Sequence, residues 1–105
     1  MTKKILLLGV MGTLLDDVQR QLQRADIQFL SGTSLEDVRS AFAQTSIDHV
    51  FMGAGIALEI RLEMVREIFQ SSDTTTVHMK DHASGSQGFL PFVRSMLRGL
   101  ADDEL

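Results

Sequence analysis

The spacing of apolar residues along this chain changes period several times. From Lys3 to Met11 the chain reads KKILLLGVM, and Ile5, Leu6, Leu7, Leu8 and, past Gly9, Val10 are apolar without alternation. A strand that is apolar at odd and even positions alike is buried on both faces, as in a parallel sheet covered by helices on each side. Gly9 and Gly12 then break the run, and a helical period takes over across Thr13–Ala25. Met11, Leu14, Leu15, Val18, Leu22 and Ala25 fall on one side at about 100° per residue. Asp16, Asp17, Gln19, Arg20, Gln21, Gln23 and Arg24 cover the other side.

The same alternation of apolar run and helical period recurs to the end of the chain. Ile27–Leu30 is a short apolar run closed by Ser31, Gly32 and Thr33. Ser34 is placed to cap a helix over Leu35–Gln44, with Glu36 and Asp37 in its first turn. His49–Met52 is a third strand, followed by Gly53-Ala54-Gly55. Leu58–Gln70 is a third helix, and Leu58, Leu62, Val65 and Phe69 read as its inward stripe. Thr75–Met79 is a more polar, β-rich run that suits the edge of a sheet. Pro91 suits the first turn of a last helix, Phe92–Leu100. Residues 1–105 thus predict one α/β domain, a doubly wound three-layer sandwich. Its strands, Lys4–Leu8, Ile27–Leu30, His49–Met52 and Thr75–Met79, form a four-stranded parallel sheet of order 2-1-3-4 with two helices on each side.

Composition narrows the function more than the fold. Apolar residues make up 44% and charged residues 23% of 105 positions, which is globular. Cysteine is absent, so there is no disulfide framework, thiol nucleophile or thiolate metal site. A net charge of −4 offers no basic footprint for nucleic acid. The apolar run after Lys3 and Lys4 lacks a small-residue cleavage site and gives way to Asp16 and Asp17, so it is not read as a signal peptide. No stretch approaches a membrane span, and the expected location is cytoplasmic.

The layout resembles the response-regulator receiver family, a flavodoxin-like fold of five βα units, over about the first four units. The best local match is Asp48–Gly53, DHVFMG, which is similar to the receiver's third strand and the aspartate behind it. Here Gly53 occupies the place of that phospho-acceptor. Gly9 and Val10 stand near the place of the receiver's acidic pair, and Lys80 near that of its switch Ser/Thr. The fifth strand and its lysine have no counterpart. The resemblance therefore implies the fold and argues against Mg²⁺-dependent phosphotransfer; fold alone assigns no function.

Two functional readings remain open. In an open α/β sheet, ligands bind beyond the carboxyl ends of the strands at the switch point, here between strands one and three. Gly9, Gly12, Thr13, Gly53 and Gly55 would let an anion approach helix N-termini there, and Lys80, His82, Ser84 and Ser86 would add donors. The plainer reading is that these glycines make tight βα turns. GVMGTL is neither a dinucleotide fingerprint nor a P-loop. His78 and His82 lack a third ligand at a suitable spacing, and no catalytic triad can be assembled. No metal, cofactor or catalytic residue is expected. The competing reading is a non-catalytic regulatory or protein-interaction domain. The third helix carries an apolar arc of about 200°, wider than one sheet face needs. Its surplus, Ala57, Ile60 and Met64, together with Thr75, Val77 and Met79 of the edge strand, predicts a homodimer interface.

Overall fold

A computed structural model describes residues 2–81 and 88–103. Eight elements alternate: β1 (Lys3–Leu8), α1 (Gly12–Gln21), β2 (Ile27–Gly32), α2 (Leu35–Gln44), β3 (His49–Met52), α3 (Leu58–Ser71), β4 (Thr76–Met79) and α4 (Phe89–Asp103). The four strands form one sheet of order β2-β1-β3-β4, and every pairing is parallel. This is the architecture that the sequence predicts.

The unbroken apolar run of β1 explains the layering. Leu6 and Leu8 enter a core with Val38 and Ala41 of α2 and Met64 and Ile68 of α3. Ile5 and Leu7 enter a second core with Leu15 and Val18 of α1 and Phe89, Val93 and Leu97 of α4. All four of these strand residues are buried. The sheet thus separates two hydrophobic cores, with α2 and α3 on one face and α1 and α4 on the other.

Polar groups hold both ends of β1. At its start, the Lys4 backbone N–H donates to Asp48 Oδ2 at 2.8 Å, and the Asp48 N–H returns to the Lys4 carbonyl at 2.8 Å. The Lys4 ammonium donates to Thr45 Oγ1. At its end, the Gly53 N–H donates to the Leu8 carbonyl at 2.8 Å, and the Gly9 N–H to the Gly32 carbonyl at 3.2 Å.

Element boundaries depart from expectation where such bonds intervene. The first helix ends at Gln21 rather than Ala25, because Arg24 turns back onto Asp26 through bonds of 3.0 and 2.7 Å. That turn delivers Asp26 to β1, where its carbonyl accepts the Lys3 N–H at 2.8 Å. The second strand continues to Gly32, because Leu7 and Leu8 still pair with Ser31 and Gly32. Gly32 leaves room for α2: a Cβ there would stand 2.7 Å from Asp37 Cβ. The start of α2 is closed as the sequence predicts. Ser34 Oγ accepts the Asp37 N–H at 3.2 Å, and Asp37 Oδ2 accepts the Thr33 N–H at 2.8 Å. The Thr33 N–H, with smaller help from the Ser34 and Thr33 hydroxyls, holds the Asp37 carboxyl below its ordinary range.

The rotation of α3 corrects the sequence reading. Leu58, Leu62 and Phe69, expected to face the sheet, are 56%, 54% and 51% exposed. Met64, expected on a surface arc, is fully enclosed together with Ile68. Burial of Met64 and Ile68 in the core beneath α3 fixes this rotation, and two side chains flanking Met64 are bonded consistently with it. Glu67 accepts a 2.9 Å bond from Arg39 of α2, while Arg61 Nη1 donates at 3.2 Å to the Lys80 carbonyl just past β4. On a helical wheel they lie about 60° to either side of Met64. With one bonded to α2 and the other to the end of β4, Met64 lies over the sheet and the Leu58–Phe69 stripe lies on the β4 side.

Candidate functional site

The carboxyl ends of β1 and β3 adjoin at the switch point, as the topology requires. Gly9, Gly53, Gly55 and Lys80 come together there with Val10, Met11, Leu14 and Phe89 around a cavity of about 40 Å³. That is close to the ~30 Å³ share of one water. It is far below the roughly 300 Å³ at which ligand pockets begin. Gly12 and Thr13 are exposed and do not line the cavity. His82, Ser84 and Ser86 lie outside the described residues.

Packing explains two of these glycines. A Cβ on Gly55 would stand 2.8 Å from Val10 Cγ2, and one on Gly9 3.2 Å from Leu15 Cδ2. None of Gly9, Gly12, Gly53 and Gly55 adopts the left-handed backbone that favours glycine. At Gly9 and Gly55 a neighbouring side chain occupies the space that glycine leaves. Lys80 is 2% exposed; its Nζ donates to the Asp81 carbonyl at 3.1 Å, and its backbone N–H to the Met52 carbonyl at 2.9 Å. Neither Met11 nor Ala57, the N-caps of α1 and α3, makes a side-chain capping bond.

A larger depression of about 570 Å³ is open to solvent and lined mainly by polar groups of α1 and β2, including Asp16, Gln19, Arg20 and Gln28. It shares no residue with the glycine loops.

On the α4 face of the sheet, Thr76 Oγ1 bonds His49 Nδ1 at 2.6 Å and His78 Nε2 at 3.0 Å. The His78 ring meets Phe51 edge-on with centroids 5.3 Å apart. Burial lowers the His78 pKa, because the apolar surroundings penalise the imidazolium. Among the described residues no group of three His, Asp, Glu or Cys side chains is placed to hold a metal ion.

The predicted interface residues scatter. Thr75 is buried, its Oγ1 2.6 Å from the Ile47 carbonyl. Val77 is half-buried against the α2–α3 core, and Met79 is exposed. Ala57 and Ile60 are exposed, and Ile60 projects on the α2 side of the helix, away from β4. Met64 belongs to the core and is unavailable to a partner. The accessible apolar surface is Leu58, Leu62 and Phe69, with half-buried Val65 completing the stripe. The sequence already marks it by the spacing four, three, four, the period of a helix–helix seam. Among the described residues, the outer edge of β4 pairs with no strand.

No protein-family description, curated protein or solved structure matches the chain. No helix among the described residues is long and apolar enough to cross a membrane.

Proposed function

We propose that the chain is a non-catalytic, receiver-like regulatory or protein-interaction domain that is not phosphorylated. One observation carries this reading: the exposed apolar stripe of α3 beside the edge of β4, which pairs with no strand among the described residues. Three large side chains on one helix, each more than half exposed, form a contiguous patch of the kind that marks interaction sites. The switch point supports the same reading. Gly53 stands where a receiver has its acceptor aspartate, and the cavity there admits about one water.

The rival reading, an anion-binding protein or small enzyme, is favoured by the uncapped starts of α1 and α3 and by the buried Lys80 beside the same cavity. A thermal-shift screen of phosphorylated metabolites and nucleotides separates the two. A ligand at 100 times its dissociation constant adds about 2.7 kcal/mol of stability. The expected result is a blank screen, together with an unchanged intact mass after incubation with acetyl phosphate and Mg²⁺. A stabilising ligand whose effect is lost in Lys80→Met refutes the interaction reading, and a phosphoryl mass gain refutes the unphosphorylated one.

A further inference from the structure

We infer that the partner seated on this face is a second copy of the chain, with α3 lying antiparallel to its counterpart across a twofold axis beside β4. The inference rests on the interaction-domain reading and names its partner. Leu58, Leu62, Val65 and Phe69 form a narrow stripe at heptad spacing, which fits the side of another helix better than the broad face of a sheet. An antiparallel match sets Leu58 against the partner's Phe69 and Leu62 against the partner's Val65, so that one stripe is complementary to itself, as a twofold interface requires.

The sheet supports the same arrangement. Met64 and Ile68 pack with Val50 and Met52 of β3 and with Val77 of β4, which seats α3 over the β3–β4 pair. Strands lie about 4.8 Å apart. If the two β4 edges pair across the axis, two helices seated in this way are about 9.6 Å apart, inside the 8–10 Å range of packed helices. Val77 and Met79 alternate onto the same face as α3, so they extend the apolar strip to the axis.

Charge selects the antiparallel arrangement. Glu59 and Arg66 flank the seam on the side away from the sheet, and neither forms an ion pair among the described residues. Antiparallel helices place Glu59 opposite the partner's Arg66, twice by symmetry. Parallel helices place Arg66 opposite the partner's Arg61, a like-charge contact.

Sedimentation velocity of the full chain at tens of micromolar tests this. The expected wild type is a dimer, and Leu62→Glu/Phe69→Glu is a monomer with unchanged far-ultraviolet circular dichroism. Glu59→Arg and Arg66→Glu each weaken association about tenfold, and the combined charge swap restores it. The charge variants lie on the surface, so the test stands even if the apolar double variant misfolds. A monomeric wild type overturns the inference, as does association that tightens in Arg66→Glu alone. A monomeric wild type with a blank ligand screen leaves the interaction-domain reading intact, whereas a ligand hit removes that reading itself.

Discussion

Met64 and Leu62 sit two residues apart on α3 and face opposite environments, so truncating each to alanine measures the rotation of the helix directly. Met64 has no exposed surface and packs in the core beneath α3. Buried methionine to alanine typically costs about 2–5 kcal/mol, because the removed atoms lose their burial and the cavity closes only in part. Leu62 is 54% exposed, so only about half of the ~1.5–3 kcal/mol of a fully buried leucine is at stake. Leucine and alanine are both strong helix formers, which leaves a net cost near 1 kcal/mol. For a domain whose whole stability is on the order of 5–15 kcal/mol, Met64→Ala removes a large share and Leu62→Ala a small one. With a urea slope of roughly 2 kcal/mol per molar, the unfolding midpoints fall by about 1.5 M and about 0.5 M respectively. The assay is urea unfolding followed by circular dichroism in dilute protein, where self-association contributes nothing. Raising the protein concentration enlarges the Leu62→Ala deficit and leaves that of Met64→Ala unchanged, because mass action stabilises only the associating wild type at that site. A Leu62→Ala variant that costs as much as Met64→Ala in dilute solution refutes the rotation, and with it the assignment of the exposed stripe.

Two further outcomes follow from close contacts and burial. Gly32→Ala destabilises by about 1–3 kcal/mol, because the new Cβ meets Asp37 Cβ on the first turn of α2 rather than the end of a flexible side chain; a midpoint equal to wild type refutes this. Burial lowers the His78 pKa beneath 6.5, so the unfolded chain binds the proton first as the pH drops. Its contribution to stability is therefore complete above pH 6.5 and is lost as the pH falls through that value toward the folded pKa. His78→Asn flattens this slope between pH 7.5 and 5.5 in denaturant titrations, and slopes identical to wild type refute the assignment.

The sheet and its strand order were legible because β1 carries its signal in four consecutive apolar side chains, and because glycine closes both β1 and β3. Local pattern was enough there. It was not enough for α3, where two apolar stripes compete: Leu58-Leu62-Val65-Phe69 and Ile60-Met64-Ile68. Hydropathy favours the first, yet the second is nearer the core. What decides is the long-range packing of Met64 and Ile68 against β3 and α2, and the contacts that accompany it, Arg39 with Glu67 and Arg61 with the Lys80 carbonyl, join residues 28 and 19 positions apart, beyond any helical period. The end of α1 escaped for a related reason, since Arg24 and Asp26 form a turn that competes with two more helical residues. At the switch point, sequence located the loops but not their contents. Whether a glycine admits a ligand or a neighbouring side chain depends on what packs there, and at Gly9 and Gly55 it is Leu15 and Val10.

The two-sided burial of β1 has a consequence for how the chain finds its register. In a strand with one wet face, a slip of one residue moves its apolar set into water, which forbids the slip. For Ile5, Leu6, Leu7 and Leu8 the penalty is confined to the ends of the run, because exchanging the two faces trades one branched aliphatic for another everywhere except where Lys4 or Gly9 would take a buried place. The hydrophobic effect drives this strand to the centre of the sheet but constrains its alignment only through the residues at its two ends. The alignment is therefore encoded by the polar atoms at its ends. Asp48 accepts one N–H, that of Lys4, and a strand displaced by one position would forfeit that bond together with the approach of Gly9 to Leu15. A few hydrogen bonds, each modest beside the burial energy, thus reinforce at the strand's ends a register that the interior of the run leaves open.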